Sequence, residues 1–169
     1  MRAIVDIELV LVNESLKEKA LSLIEAFWLC HNNEVQNADE TMEDYNSWTA
    51  SGHLFYLIKL VDKYIGFAHL ASRGAQIDWL EDLFILPEYQ RRGFGSQAVT
   101  MLETQVKQYS ESLYIEVAAR NLPAIKLYRK LGYDCLNTIT IRKDFDKDKY
   151  NVKSQETIAG MDFVIKDNC

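Results

Sequence analysis

The chain has 169 residues, a length that suits one domain with one hydrophobic core, and we expect residues 1–169 to form a single domain. Hydrophobic residues make up 48% and charged residues 26%, with 7 Gly and 2 Pro, which excludes a disordered or collagen-like chain. The 19 Lys and Arg against 25 Asp and Glu give a net charge of −6, which argues against nucleic acid or an anionic membrane as partner.

The cysteines and the N-terminus predict a cytoplasmic protein. Three scattered cysteines are too few for a disulfide framework, and no Cys or His pair has metal-ligand spacing, so no metal is expected. His31, His53 and His69 are therefore expected to be surface or packing residues. The opening segment is neither a signal peptide nor a membrane span, because Asp6 and Glu8 interrupt its apolar run.

The first elements are a strand and two helices. Met1–Val12 is predicted as a strand, after which Asn13 and Ser15 supply N-cap chemistry for an amphipathic helix. The apolar stripe of this helix is Leu16, Ala20, Leu23, Ile24, Phe27 and Trp28. A short helix around Glu40–Ser47 follows within an acidic segment.

A hairpin and a crossover come next. Runs rich in Leu, Tyr, Ile and Phe at 53–61 and 64–71 flank Asp62-Lys63, which predicts two antiparallel strands joined by a two-residue turn. Ile77–Leu86 is a third strand, ended by Pro87. A helix begins near Phe94, with Ala98, Val99, Leu102, Val106 and Tyr109 on one face, and Leu113–Ala118 is a short strand. This order implies one parallel crossover.

The last third predicts one more helix and two closing strands. Asn121 is the N-cap, Pro123 lies in the first turn, and Gly132 is the C′ residue of the helix. Tyr133–Arg142 and Thr157–Ile165 are predicted as closing strands, with a charged loop at 142–153. A single α/β domain with a mixed sheet accounts for all of these elements.

The segment Gln90-Arg91-Arg92-Gly93-Phe94-Gly95-Ser96 lies between a strand and a helix. Glycines there allow close approach of a ligand, and the first N–H groups of the helix have no intrahelical partner. With the helix dipole they form an anion site suited to a diphosphate, to which Arg91 and Arg92 would add charge-assisted contacts. A tight loop with packing glycines and solvated arginines is the alternative.

Two separated blocks resemble the GCN5-related N-acetyltransferase (GNAT) superfamily. The first is Glu81-Asp82-Leu83-Phe84-Ile85-Leu86-Pro87-Glu88-Tyr89 leading into QRRGFG, which is similar to the family's strand, acyl-CoA diphosphate loop and helix. The second, residues 121–133, carries the pattern Asn-x-x-Ala-x-x-x-Tyr-x-x-x-Gly-aromatic. The resemblance implies a mixed, mostly antiparallel sheet with a central, splayed parallel strand pair, flanked by helices. Within the family, the Glu81-Asp82-Leu83-Phe84 segment resembles the branch that acetylates small diamines and polyamines.

The resemblance also implies acetyl-CoA or a related acyl-CoA as the acyl donor. In the family, the strand matching Leu83–Leu86 splays from its parallel neighbour, and its free backbone groups bind the pantetheine arm. The implied donor-binding residues are Leu83, Phe84, Ile85 and Leu86 on the strand, Arg91, Arg92, Gly93, Phe94, Gly95 and Ser96 around the diphosphate, and Asn121, Ala124 and Tyr128 beside the arm.

Acetyl transfer to an amine requires removal of a proton, because an alkylamine with a pKa near 10.4 is neutral only to about one part in a thousand at pH 7. Glu81 is the predicted base, directly or through one water, and alternation is expected to send its neighbour Asp82 to the opposite face. The resemblance makes Tyr128 the acid that assists the departing thiolate. Solubilising charge for the carboxylates and core packing for Tyr128 are the alternatives.

The expected acceptor is the primary amine of a small cation, attacked directly in a ternary complex. Glu81 and Asp82, together with an acidic run, favour a polyamine-like substrate. The acidic run consists of Glu34, Asp39, Glu40, Glu43 and Asp44. Glu34 and Asp39 are the predicted substrate contacts within it. The alternative interpretation is that the run is a solvated helix face. Two other functions compete with this one. The chain could acetylate the amine of a peptide or protein, or it could be an acyl-CoA-binding sensor without transfer activity. The closing strands are candidates for pairing across a two-fold axis in a homodimer.

Overall fold

The computed structural model describes residues 6–167. The chain separates into two compact units that divide between Glu116 and Val117, and the expectation of one domain remains a prediction. The first unit contains strands β1 (Glu8–Leu11), β2 (His53–Leu60), β3 (Lys63–Ser72), β4 (Ile77–Ile85) and β5 (Tyr114–Ile115), and helices α1 (Lys17–Asn32), α2 (Ala38–Trp48) and α3 (Phe94–Val106). The second contains α4 (Leu122–Lys130), β6 (Val152–Ile158) and β7 (Met161–Lys166).

The first unit is built on a five-stranded sheet in the order β1-β2-β3-β4-β5. The first four strands are antiparallel, and β4 and β5 are parallel, joined through α3. This confirms the mixed sheet and the single crossover. The parallel pair lies at one edge of this sheet rather than at its centre, because β5 is the outermost of the five strands.

Helices α1 and α2 pack on one face of the sheet. The Asn13 side chain accepts from the Ser15 N–H at 2.9 Å ahead of α1, and Asn37 and Glu40 form a capping box at the start of α2. The buried side chains on this face are Leu16, Ala20, Leu23, Ile24, Phe27, Tyr45, Trp48, Phe55, Leu57, Phe67 and Phe84. The predicted α1 stripe is therefore the core stripe, with Trp28 at its half-buried margin.

Helix α3 packs with the residues of the other face. Alternation along the strands sends Leu57 and Phe84 to the core with α1 and α2, and sends their neighbours Ile58 and Ile85 to a second core. Ile7, Ile65, Phe94 and Ala98 complete that second core. We refer to the two sides of the sheet as the α1/α2 face and the α3 face.

The β2–β3 turn is one residue earlier than predicted. Leu60 pairs with Lys63, so Val61 and Asp62 are the turn residues rather than Asp62 and Lys63. Val61 has φ = 55°, which is unfavourable for a β-branched side chain and which sequence patterns therefore do not suggest. Of the first strand, only Glu8–Leu11 is assigned, and residues 1–5 of the predicted segment lie outside the described range.

The predicted closing strands differ most from the structure. Tyr133–Arg142 has no regular secondary structure, which corrects the prediction of a strand there. Thr157–Ile165 is not one strand, because Ala159 and Gly160, with φ = 51° and 77°, turn the chain between β6 and β7. The homodimer hypothesis therefore loses one of its two candidate strands, and the β6–β7 hairpin remains.

Gly66 fixes the spacing of β3 and β4. A Cβ atom built on Gly66 would overlap the carbonyl oxygen of Phe84, and its other nearest atoms are also backbone atoms of β4. Only glycine allows this approach, which holds β4 in the register of Gly66 with Ile85.

Gly66→Ala is expected to lower the free energy of unfolding by about 1–3 kcal/mol, since an added methyl group forces the two backbones apart. Urea denaturation followed by circular dichroism measures this change. Gly74→Ala is the matched control, because its Cβ meets open space and its cost is that of the φ angle of 121° alone. A loss in Gly66→Ala of clearly less than about 1 kcal/mol would contradict the close-approach argument.

Candidate active site

Strand β4 carries one extra residue opposite β3. His69 pairs with Asp82, and the next β3 residue, Leu70, pairs with Leu80, so Glu81 is left over between them. A β-bulge of this kind interrupts the ladder, bends the strand and redirects the side chain. The bulge is therefore centred on the residue that the sequence predicts as the base.

The bulge places Glu81 and Asp82 on the same face, so the prediction that Asp82 points to the opposite face is wrong. Trp79 and Asp82 pair with β3 residues that are two apart, and such residues share a face. Glu81 lies between them, and it binds Arg73, whose guanidinium lies over the Trp79 ring. Alternation fails here because the strand contains one extra residue.

Arg73 joins two carboxylates and an aromatic ring. Its Nε and Nη2 atoms donate to Oε1 and Oε2 of Glu81, both at 2.7 Å, and Nη1 donates to Glu116 Oε2 at 2.7 Å. The guanidinium carbon lies 3.9 Å from the centroid of Trp79, which stacks on Tyr114 with centroids 4.9 Å apart. The bonds to Glu81, and next those to Glu116, raise the pKa of Arg73 above its usual value. The cluster is thus a place where a cation is held.

Two histidines form a chain that ends on Asp82. His69 Nδ1 lies 2.9 Å from Asp82 Oδ2, and His69 Nε2 lies 2.8 Å from His53 Nδ1. His69 is 3% exposed and stacks on Trp48 with centroids 4.8 Å apart. His31 stacks on Phe27 and is exposed, as predicted, but packing alone does not describe His53 and His69.

Neither this histidine chain nor the cluster around Arg73 can be read from the sequence. Their members are 13, 16 and 43 residues apart for the pairs His69–Asp82, His53–His69 and Arg73–Glu116, so no local spacing reveals them. The usable signal is strand pairing, since His69 opposes Asp82 across the β3–β4 ladder.

The segment after β4 turns sharply toward α3. A 3₁₀ turn at Pro87–Tyr89 follows the strand, and the Gln90 side-chain amide donates to the Ile85 carbonyl at 2.7 Å. Arg91 and Gly93 have φ angles of 57° and 91°. Two left-handed residues in a tight loop bring successive backbone N–H groups toward one side, which is how anion-binding nests form.

Helix α3 begins without a side-chain cap. Gly93 is its N-cap, and the first helical bond runs from the Gln97 N–H to the Gly93 carbonyl at 3.0 Å. Among the described residues, no acceptor meets the backbone N–H groups of Phe94, Gly95 and Ser96. Three free donors at the positive end of a helix dipole are suited to phosphate oxygens.

The acidic run is partly used for folding. Asp44 accepts from Trp28 Nε1 at 2.7 Å and from Gln36 Nε2 at 2.8 Å, and Glu40 belongs to the α2 capping box. Glu34, Asp39 and Glu43 are exposed. In the described range, no hydrogen bond or ion pair joins Glu34 or Asp39 to the bulge, so their role as substrate contacts remains a prediction.

The described residues contain neither a cluster of metal-ion ligands nor a helix that could span a membrane. Between residues 6 and 167, no group of three or more His, Cys, Asp or Glu side chains is arranged to hold a metal ion. No helix in the same range is long and apolar enough to cross a membrane.

Residues 20–133 match the family model described as the Acetyltransferase (GNAT) family. This chain is a GNAT family member. It is an acetyl-CoA-dependent N-acetyltransferase. No curated protein matches the sequence at a significant level.

Several solved structures share the fold. An AAC(6')-Iy complex with the bisubstrate analog CoA-S-monomethyl-acetylneamine has a TM-score of 0.65 and 19% identity, covering 82% of this chain and 99% of that one. The aminoglycoside 6'-N-acetyltransferase AAC(6')-Ih from Acinetobacter baumannii has a TM-score of 0.63 and 20% identity, with coverages of 82% and 98%. The aminoglycoside acetyltransferase meta-AAC0020 from an uncultured soil metagenomic sample, in complex with sisomicin, gives 0.66 and 12%, with coverages of 83% and 97%.

The segment from Gln90 to Ser96, which we call the α3 loop, fits the diphosphate of the GNAT acyl donor. The free N–H groups at Phe94, Gly95 and Ser96 supply donors, and the exposed Arg91 and Arg92 supply positive charge. The bound donor supplies an activated acetyl group. Phe94 contributes its backbone alone, because its side chain is buried in the core of the α3 face.

The β4 residues predicted to bind the donor have side chains turned to the two cores. Phe84 lies in the core of the α1/α2 face and Ile85 in that of the α3 face, while Leu86 and Leu83 are partly buried beside them. The parallel ladder with β5 consists of Trp79 with Tyr114 and Leu80 with Ile115, and beyond it β4 pairs with β3 alone among the described strands. Donor contacts of Phe84 and Ile85 are therefore limited to their backbone groups.

The second unit holds the other predicted donor contacts. Asn121 is the N-cap of α4, and its side chain accepts from the Ala124 N–H at 3.2 Å, as the sequence predicts. Tyr128 is half-buried and makes an edge contact with Tyr133 at 5.8 Å between centroids. The contacts of Asn121, Ala124 and Tyr128 with the donor remain predictions.

Replacing Arg91 and Arg92 together with Ala is expected to raise the Kd for CoA by about tenfold or more, because the loss of even one charge-assisted hydrogen bond to phosphate costs about 1.5–3 kcal/mol. Isothermal titration calorimetry measures this, and the loss should shrink at high salt. Lys107→Ala, at the C-terminal end of α3, is the control. Unchanged affinity in the double variant would contradict the diphosphate site.

Proposed function

We propose that this GNAT enzyme acetylates a primary amine of a small, multiply charged cation, such as a polyamine or an aminoglycoside. The observation that carries the proposal is the charge around the β4 bulge. Three carboxylates, Glu81, Asp82 and Glu116, lie there with one guanidinium, that of Arg73.

The Arg73 cluster indicates how such a cation would be held. Its two carboxylates and the face of Trp79 already bind one positive group, through hydrogen bonds and a cation–π contact. Each ion pair at a partly exposed site is worth only about 0.2–1 kcal/mol. A single cationic group would therefore bind weakly at this site. Acceptors with several cationic groups would bind better, because they make several such contacts at once.

The solved neighbours support testing aminoglycosides beside polyamines. Two of those proteins were crystallised with aminoglycoside-related ligands, a CoA–neamine bisubstrate analog and sisomicin. At 12–19% identity they support the fold alone, so the acceptor of this chain is argued from its own carboxylates.

Three catalytic and binding roles belong to the proposal. Glu81 is retained as a candidate base, and both of its oxygens accept from Arg73, which favours a role in holding positive charge. Tyr128 is retained as the acid that assists thiolate departure. Glu34 and Asp39 are retained as attractors of the acceptor from the acidic run.

The test of the acceptor is acetyl-CoA-dependent release of free thiol with spermidine, short diamines, an aminoglycoside, single amino acids and basic peptides. We expect kcat/KM to rise with the number of cationic groups on the small amines. Turnover of basic peptides alone would instead favour a peptide or protein acetyltransferase. CoA binding without turnover of any amine would favour an acyl-CoA sensor.

Glu116→Gln supplies a specific check on the charge argument. It removes one carboxylate from the cluster and keeps the size of the side chain, so KM for the cationic acceptor should rise while KM for acetyl-CoA is unchanged. Glu111→Gln is the matched control, because Glu111 is exposed and has no hydrogen bond or ion pair among the described residues. Equal effects of the two substitutions would remove Glu116 from the acceptor site.

Tyr128→Phe is expected to lower kcat by at most about 10²-fold and to leave CoA affinity unchanged. A thiol with a pKa near 8.5 is a tolerable leaving group, so acid assistance lies at the low end of its usual range. Steady-state kinetics and calorimetric titration with CoA measure the two quantities. An unaltered kcat would return Tyr128 to a packing role.

A further inference from the structure

We propose that His53 accepts the proton of the attacking amine, and that Asp82 and His69 position it by fixing its tautomer. Asp82, His69 and His53 form one hydrogen-bonded chain from β4 through β3 to β2, which we call the histidine chain. The inference rests on the proposed amine acetylation and adds the group that performs its proton transfer.

The geometry of the histidine chain is that of in-line hydrogen bonding. The His53 and His69 rings are 10° from coplanar with centroids 5.1 Å apart, while Nδ1 of one lies 2.8 Å from Nε2 of the other. Trp48 stacks on His69 at 18°, which holds its ring plane. His69 is buried, so its two ring nitrogens depend on Asp82 and His53 for hydrogen bonding.

Hydrogen-bond polarity then assigns each proton. An ionised Asp82 only accepts, so His69 donates to it through Nδ1–H, and in the neutral His69 ring the Nε2 atom then carries a lone pair. His53 must donate its Nδ1–H to that lone pair. His53 Nε2, the nitrogen at the far end of the chain from Asp82, therefore carries a lone pair. A general base requires such a lone pair to accept a proton.

His53 lies on the same face as the bulge. It pairs with Ala71 on β3, and Ala71 pairs with Trp79 on β4, so all three side chains share the α1/α2 face. The charged and titratable groups around it are His69 from β3, Glu81 and Asp82 from β4, and Arg73 and Glu116 beside Glu81. Among these, Glu81 is the carboxylate whose charge acts on His53 directly.

Burial, and next the proximity of His69, lowers the pKa of His53 below its ordinary value of 6.5, against an opposing effect of Glu81. His53 is therefore neutral at pH 7, and protonation removes its lone pair only as pH falls through the lowered pKa. Glu81 differs as a base candidate, because both of its oxygens already accept hydrogen bonds from Arg73.

The proton balance is complete with this assignment. The ammonium of the acceptor first loses one proton to solvent. The neutral amine then forms the C–N bond to the acetyl carbon, the C–S bond of the donor breaks with its electron pair on sulfur, and one N–H proton passes to His53 Nε2. Proton loss from His53 to solvent and protonation of the thiolate restore the enzyme. The net products are the N-acetylated amine, CoA thiol and one proton.

The first test reads the protons directly, without turnover. Long-range ¹H–¹⁵N NMR of the full chain at pH 7.5 should show His53 and His69 both neutral with hydrogen on Nδ1, the form that is the minor one in a free imidazole side chain. In Asp82→Asn the amide can present its NH₂ group to His69, so the Nδ1–H form should be lost at both rings. Hydrogen on Nε2 of His53 in the wild type would overturn the proposal.

The second test uses the pH dependence of kcat/KM. His53→Gln should lower kcat by about 10²-fold and abolish the acid limb, whose apparent pKa in the wild type lies below 6.5. His31→Gln, at the exposed histidine, is the matched control. Added imidazole should restore part of the rate of His53→Ala, which a purely structural role would not permit.

Glu81→Gln separates the two candidate bases. It removes the carboxylate that raises the pKa of His53, so the acid limb should shift to lower pH, and KM for the acceptor should rise because Glu81 also belongs to the Arg73 cluster. Abolished turnover in Glu81→Gln, with His53→Gln as active as His31→Gln, would overturn the proposal and favour Glu81 as the base. Failure of the wild type to acetylate any amine is a different result, which contradicts the proposed function itself.

Discussion

The extra residue in β4 is the constraint on which the proposed acceptor site of this enzyme depends. In a regular strand, Glu81 and Asp82 would point to opposite faces, and one carboxylate would enter the core beneath α3. The bulge instead gives both a position on the α1/α2 face, with Glu81 bound to Arg73 and Asp82 bound to His69. One unpaired backbone position thus creates two neighbouring polar networks.

The two networks differ in how strongly burial makes them depend on their hydrogen bonds. An imidazole that is 3% exposed is costly unless its ring nitrogens are hydrogen-bonded, so His69 requires both Asp82 and His53. The ion pair between Arg73 and Glu81 is different, because the Arg73 side chain is 38% exposed and its hydrogen bonds to Glu81 are screened by solvent. The histidine chain is therefore the more rigid part of the proposed site, and the Arg73 cluster is its solvent-exposed part, to which the proposal assigns the incoming cation.

Sequence reasoning succeeded where the determinants are local. The α3 loop, the start of α4 at Asn121 and the stripe of α1 follow from residue types at fixed offsets, and the structure contains all three. It failed where a backbone conformation or a distant pairing decides. The Ala159-Gly160 turn lacks the usual Asn-Gly signal, and neither the bulge at Glu81 nor the partner of His69 can be read from neighbouring residues.

Strand β4 connects the two halves of the chemistry. Its bulged middle presents carboxylates to the α1/α2 face, where we propose that the acceptor binds, and its end leads through Pro87–Tyr89 into the free N–H groups of α3. The proposed donor site and the proposed proton-accepting site thus both depend on one strand, whose spacing from β3 is fixed where Gly66 lies against Phe84. Displacement of β4 would alter both sites together, whereas substitutions in the histidine chain act on proton transfer and leave the diphosphate loop intact. Donor affinity and the pH dependence of turnover are therefore separable properties of this fold, even though a single strand carries both.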